Sequence, residues 1–250
     1  MFYAGEMERP GCNSEHHLVD ERLVGRKPAS LSFEAAAALP LTTLTAWELL
    51  FDRLGVARSR DARGTLLIIN GAGGVGSILT QIAATQTGLT VVATASRPET
   101  VAWCRQMGAH HVIDHRRPLD QELRALGIGE AEYVAGLTAT DSHLPAIVRA
   151  IAPQGRLAVI DDPAALDVVP FKRKSVSVHW ELMFTRSLFR TPDMARQGAH
   201  LNKVAHLVDA GVLRSTLVEH GGAITAVNLR RAHAAIEAGR SIGKTVLAGF

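Results

Sequence analysis

Residues 65–76 read TLLIINGAGGVG, and the reading of the fold starts there. Leu66 to Ile69 is an apolar run without polar alternation, the pattern of a strand buried on both faces of a parallel sheet. It passes directly into Asn70-Gly71-Ala72-Gly73-Gly74-Val75-Gly76 and then into a helical pattern, Ser77 to Gln86. Gly71, Gly73 and Gly76 satisfy G-x-G-x-x-G in the strand–turn–helix setting that gives the motif meaning. Gly71 permits the tight turn, Gly73 lets the backbone approach a pyrophosphate, and Gly76 lets the helix pack close to the strand. The unsatisfied N–H groups and positive dipole end of the new helix then face the phosphates. Taken alone, the motif is weak evidence, and the alternative is a plain glycine-rich βα turn.

The next strand supplies a second match. Leu89 to Ala95 (LTVVATA) is followed by Ser96-Arg97-Pro98-Glu99, about 20 residues beyond the glycines, where the adenosine ribose of a dinucleotide lies. An NAD site places a carboxylate there to accept from the ribose hydroxyls. Here a hydroxyl and a guanidinium stand instead, and a guanidinium offers a 2′-phosphate a planar fork of donors. The expected cofactor is therefore NADP(H). The competing reading leaves Arg97 as a solvated loop residue and gives the ribose to Glu99.

The 250 residues suffice for one large or two modest domains, and 47% hydrophobic with 20% charged residues describe an ordinary globular chain. A net charge of +3 without a basic stretch interleaved with aromatics argues against nucleic-acid binding. No apolar run approaches the roughly 20 residues that span a bilayer, and no signal peptide opens the chain. Two cysteines, Cys12 and Cys104, make no disulfide framework and fit a cytoplasmic location.

Residues 1–30 carry turn signals at Gly5, Pro10-Gly11 and Asn13-Ser14 around one short strand candidate, Glu15 to Val19. They either pad the edge of the main domain or end a domain whose beginning is missing. Cys12, His16 and His17 invite a zinc reading, but Cys-x3-His has no second pair nearby, so no metal is expected. From Ser32, a capping residue, the pattern turns helical up to Pro40 and again from Leu41 to Phe51, with Trp47 as core or interface.

Beyond the second strand, strand and helix alternate. Helices are expected over 99–107, 119–126 and 142–151, the last capped by Asp141, and strands over 111–114, 133–137, 156–160 and 175–180. Such alternation predicts an α/β fold, a Rossmann-type doubly wound parallel sheet with helices on both faces. Ligands of such sheets bind beyond the carboxyl ends of the strands. Besides the two sites above, that points to Thr138-Ala139-Thr140, near the nicotinamide half, and to Asp161-Asp162, where a turn before Pro163 is the competing reading. The carboxyl-terminal part reads as helix 193–210, strand 213–218, helix 226–238 and strand 242–247.

Several stretches now speak together: ALPLTTLTAWELL at 38–50, INGAGGVGS at 69–77, VVATASRPE at 91–99, GAHHVID at 108–114, APQGRLAVIDDP at 152–163, HWELMFTRS at 179–187 and AGRSIGKTVL at 238–247. Through them the chain resembles the medium-chain dehydrogenase/reductases, in particular the quinone-oxidoreductase-like branch labelled zinc-type alcohol dehydrogenase-like proteins. The resemblance implies a mostly β GroES-like domain of which residues 1–30 would be a remnant. Residues 31–220 would form linking helices and the NADP(H)-binding domain, and 221–250 a helix and strand returning to the catalytic-domain side. It implies that Gly71, Gly73, Gly74, Val75 and Gly76 cradle the pyrophosphate and that Ser96 and Arg97 hold the 2′-phosphate. Thr45 would approach the cofactor from the linking helix, Thr138 would lie near the nicotinamide, Phe184 would wall its pocket, and Lys244 would reach the phosphate or ribose.

The implied activity is NADPH-dependent hydride transfer to a small-molecule acceptor: a quinone, an enone or a similar carbonyl. No zinc ligand set of the alcohol dehydrogenases can be assembled and no catalytic residue is identified, so chemistry would rest on positioning by the cofactor site. A zinc-type alcohol dehydrogenase is one alternative, and a non-catalytic NADPH-binding sensor or interaction protein is another. A short-chain dehydrogenase is disfavoured because neither Tyr3 nor Tyr133 starts a Tyr-x3-Lys. An exposed strand at 175–180 able to pair with its twin predicts a homodimer.

Overall fold

The computed structural model describes residues 1–249. The chain opens with β1 (Phe2–Tyr3), β2 (Val24–Gly25), α1 (Phe33–Ala37) and α2 (Pro40–Trp47), the last continuing as a π-helical stretch, Glu48–Arg53. Then follow β3 (Thr65–Ile69), α3 (Gly74–Gln86), β4 (Thr90–Thr94), α4 (Pro98–Gln106), β5 (His111–Ile113) and α5 (Leu119–Ala125). Next come β6 (Ala131–Gly136), α6 (Thr140–Ala150), β7 (Ile151–Val159), β8 (Ser177–Trp180) and α7 (Thr185–Leu188). The chain closes with α8 (Arg196–Asp209), β9 (Leu217–His220), α9 (Ala226–Glu237) and β10 (Lys244–Val246). No helix among the described residues is long and apolar enough to cross a membrane.

Two compact units emerge. One is Ala46–Glu181; the other joins Met1–Thr45 to the described residues from Leu182 on. The sheet unit closes just past β8, its last strand, so the helices that flank it in sequence cluster elsewhere.

The Ala46–Glu181 unit is a six-stranded sheet in the order β5-β4-β3-β6-β7-β8, every neighbouring pair parallel. The order reverses between β3 and β6, the topological switch point at which such sheets bind ligands. All five residues of β3 are buried, which accounts for an apolar strand with no alternation. Leu67, Ile69, Val134, Leu157 and Val159 pack with Leu119 and Leu123 of α5 and with Leu144 and Ile147 of α6. A smaller cluster joins Ala72, Ala93 and Ala95 to Cys104 of α4. At the far edge Trp180 of β8 is exposed.

In the other unit β1 and β2 pair antiparallel, Phe2 opposite Gly25 and Tyr3 opposite Val24. A Cβ on Gly25 would fall 2.7 Å from Leu201 Cβ, and one on Gly198 would fall 2.7 Å from the Arg22 carbonyl. Glycine on both sides is what lets β2 lie against α8. The strand expected at Glu15 to Val19 does not form; those residues are irregular. Leu18, one of its two apolar residues, is left exposed and so contributes no buried face to hold a strand, whereas Phe2 and Leu23 are fully buried. Ser32 caps α1 as expected, its Oγ accepting from Ala35 N at 3.1 Å.

Candidate functional site

The site begins where β3 ends. Asn70 takes a left-handed conformation, φ 65°, which asparagine adopts more readily than most residues. Its N–H donates to Thr94 Oγ1 at 2.9 Å and its Nδ2 to Thr138 Oγ1 at 3.1 Å. Gly71 N donates to Thr94 O at 3.1 Å. The ends of β3 and β4 and the loop after β6 are thereby tied across the switch point.

Within the glycine loop each residue meets a different neighbour. A Cβ on Gly71 would lie 2.6 Å from Ala93 Cβ, and one on Gly76 would lie 2.3 Å from Asn70 O. Both positions are buried and serve packing. Gly73, Gly74 and Val75 instead reach the surface. The N–H groups of Gly74, Val75 and Gly76 begin α3 and, like the first donors of any helix, have no carbonyl within the helix to accept them. Ser77 seals the turn from beneath, its Oγ donating to Gly73 O at 2.7 Å and accepting from Trp103 Nε1 at 2.8 Å. The cradle thus fits a dinucleotide's pyrophosphate: N–H groups at a helix start, glycine at Gly73 and Gly74 where the loop reaches the surface, and helix polarity favouring an anion.

Ser96 and Arg97 follow β4 directly, with Arg97 as the residue before α4. Arg97 Nε lies 3.2 Å from Glu99 Oε1, so Glu99 faces the guanidinium. Arg116, which sequence reasoning passed over, stands beside them: its Nη2 donates to Ser96 O at 3.1 Å. Asp114 holds it through Nε to Oδ1 at 3.0 Å and Nη2 to Oδ2 at 2.7 Å. That pairing draws the Asp114 carboxyl down to about 2.

After β6 the sequence expectation needs correcting. Asp141 does not cap α6. The helix starts at Thr140, behind Ala139 in a left-handed conformation, with no cap from its own segment. Asp161, beyond β7, supplies the cap: its carboxylate accepts from Thr140 N at 2.8 Å and from Thr140 Oγ1 at 2.6 Å. Thr138 is exposed beside Asn70, and its Oγ1 also donates to Leu137 O at 2.6 Å.

Eight expected cofactor residues (Gly71, Gly73, Gly74, Val75, Gly76, Ser96, Arg97 and Thr138) therefore lie at the carboxyl ends of neighbouring strands in one unit. Thr45, Phe184 and Lys244 belong to the other unit. Thr45 is buried on α2, its Oγ1 donating to Leu41 O at 3.1 Å. Phe184 is half-buried ahead of α7. Burial pushes the Lys244 ammonium below the ordinary lysine range, as expected of a desolvated cation.

A zinc centre does not fit this chain's donors. Among the described residues no three His, Cys, Asp or Glu side chains converge to hold a metal ion. Cys12 is exposed, and burial pushes Cys104 up to about 12, where it stays a thiol at neutral pH.

A parallel sheet whose switch point opens on a glycine-lined helix start belongs to the dinucleotide-binding class of α/β folds. Residues 107–247 match the zinc-binding dehydrogenase family, and the chain belongs to it, within the medium-chain dehydrogenase/reductase superfamily of oxidoreductases. It is 37% identical over 253 residues to a zinc-type alcohol dehydrogenase-like protein of Staphylococcus aureus, covering 99% of this chain and 74% of that one. A crystal structure from Rhizobium etli, assigned as a zinc-dependent alcohol dehydrogenase, superposes with a TM-score of 0.95 at 56% identity, over 99% of this chain and 73% of that one. An NADPH-dependent alkenal/one oxidoreductase of Arabidopsis thaliana is 35% identical over 114 residues, 45% of this chain and 28% of that one.

Proposed function

We propose that this oxidoreductase binds NADPH and passes its hydride to a quinone, an enone or a similar carbonyl acceptor. The observation that carries the cofactor choice is the end of β4. Ser96 and Arg97 occupy the place at which an NAD site presents a carboxylate to the ribose, and the nearby carboxylate, Glu99, is engaged by Arg97. A dianionic 2′-phosphate gains charge-assisted hydrogen bonds from a guanidinium that a ribose hydroxyl cannot match. The acceptor class is supported by the alkenal/one oxidoreductase relative.

Bound NADPH would supply the hydride. This chain's residues would hold it in place: the N–H groups of Gly74, Val75 and Gly76 at the pyrophosphate, Arg97 at the 2′-phosphate, and Asn70 and Thr138 at the switch point. With that hydride and a proton from water the acceptor would be reduced by two electrons. The contribution of the residues named above would be orientation and field.

The test is a fluorescence titration with NADPH and NADH, followed by NADPH oxidation against a panel of quinones and enones, with and without EDTA. At least tenfold tighter NADPH binding and chelator-resistant turnover are expected. Equal affinities would overturn the cofactor assignment. Binding without turnover on any acceptor would overturn the enzymatic one.

A further inference from the structure

Resting on the NADPH reading, we propose that Arg116 is a second residue reading the 2′-phosphate, and that Asp114 is the positioning residue that aims it. Arg116 lies three residues past β5, the strand next to β4, and is far from the glycine motif in sequence. Ala95 N donates to Ile113 O at 3.0 Å, which holds the ends of β4 and β5 together. The Arg116 guanidinium reaches back over that junction to the Ser96 carbonyl at 3.1 Å. Its anchor is thus the peptide immediately before Arg97.

The donor count makes the case. Nε and Nη2 are spent on Asp114 and on Ser96 O, while Nη1 makes no hydrogen bond. Asp114 also accepts from the Arg116 backbone N–H at 3.0 Å, so one carboxylate fixes both the turn and the plane of the guanidinium. An arginine on the surface ordinarily loses rotamer entropy when it captures an anion. Here Asp114 and Ser96 O already hold the guanidinium, which lessens that cost, and the two N–H groups of Nη1 remain for phosphate oxygens. The neighbouring cation, Arg117, turns instead toward Glu122 on α5, 3.6 Å away. Because Asp114 offsets the charge of Arg116, the contribution is directional hydrogen bonding more than net field. It should therefore discriminate by the phosphate group and not by the overall charge of the ligand.

A purely structural tie between the β4 and β5 ends would influence every dinucleotide alike, which makes the two roles separable. The experiment measures dissociation constants for NADPH, NADH, adenosine 2′,5′-bisphosphate and 5′-AMP in the full chain and in R116Q, R116K and D114N. We expect R116Q to weaken NADPH and the bisphosphate about tenfold, in the range for hydrogen bonds to charged groups, and to leave NADH and 5′-AMP unchanged. R116K should recover part of the loss, and D114N should show a smaller phosphate-specific effect. An equal loss for NADH and NADPH in R116Q, or no loss for either, overturns the proposal. A native chain that itself binds NADPH and NADH equally overturns the NADPH reading beneath it, a different result in a different protein sample.

Discussion

The tightest contact in the glycine loop gives the sharpest mutational test. A methyl group at Gly76 would sit 2.3 Å from Asn70 O, 2.7 Å from Gly71 O and 2.8 Å from Gly71 C. A carbon and a carbonyl oxygen rest about 3.3 Å apart, so α3 must retreat by about 1 Å to accept Gly76→Ala. All three neighbours are backbone, and no side chain can swing aside. Every residue of α3 from Gly76 to Ala83 is buried, so the retreat also loosens the packing beneath the helix. Overpacking of this kind costs up to about 3 kcal/mol. That corresponds to a fall in Tm of about 6–12 °C for a chain of this size. Gly73→Ala provides the contrast: the three atoms nearest its methyl all belong to the Asn70 side chain, Nδ2 first at 2.9 Å. That variant should keep most of its stability, about 1 kcal/mol below the native chain at most, and lose at least tenfold in NADPH affinity because the methyl stands before the pyrophosphate. Urea melts followed by circular dichroism give the first quantity, and fluorescence titration the second. A Gly76→Ala chain as stable as the native one, or a Gly73→Ala chain that binds NADPH normally, would refute the reasoning.

Two further outcomes follow from pairs of groups already described or adjoining them. Asp161→Ala removes both hydrogen bonds at the start of α6 and should cost about 1–2 kcal/mol, as lost helix caps do; an unchanged urea midpoint would show that the cap carries no stability. Asp193 accepts from Thr191 Oγ1 at 2.7 Å and from Arg186 Nε at 3.0 Å, and these hydrogen bonds hold its carboxyl down to about 2. A folded value below the unfolded one means that the stabilisation is present above the ordinary carboxylate range and is lost as pH falls through about 2. The stability difference between the native chain and Asp193→Asn should therefore be constant from pH 7 to about pH 5 and shrink between about pH 4 and 2. A difference that persists undiminished at the acid end would refute the assignment.

What was legible in sequence was local chemistry. The strand, turn and helix around Gly71, Gly73 and Gly76 follow one another along the chain, so apolar run and glycine spacing specify them together. The α/β alternation likewise stands in the sequence as a rhythm of buried strands and helical patterns. What escaped depends on partners distant in sequence. Phe2 pairs with Gly25 across more than twenty residues, and the stretch at 15–19 offered a false local signal in between. Asp141 has the right type and nearly the right place for a cap, yet Asp161, brought alongside by the β6–β7 pairing, reaches Thr140 first. Asn70 stood in the sequence only as the first residue of the glycine stretch; its left-handed conformation and its bonds to Thr94 and Thr138 come from the fold. Arg116 carries no spacing signal at all; only the adjacency of β4 and β5 brings it to Ser96.

The three-way tie at Asn70 has a consequence for the timing of order. One residue joins the rims of three strand ends through Thr94 and Thr138, so the loop loses its conformational freedom when the sheet forms. A ligand arriving at that rim meets a surface already set, and its binding free energy is not diverted to organising the backbone. Such a site releases its ligand by breaking direct contacts, with no loop opening needed first. For the cofactor proposed above, we expect exchange at this rim to show no separate loop-opening phase in stopped-flow traces.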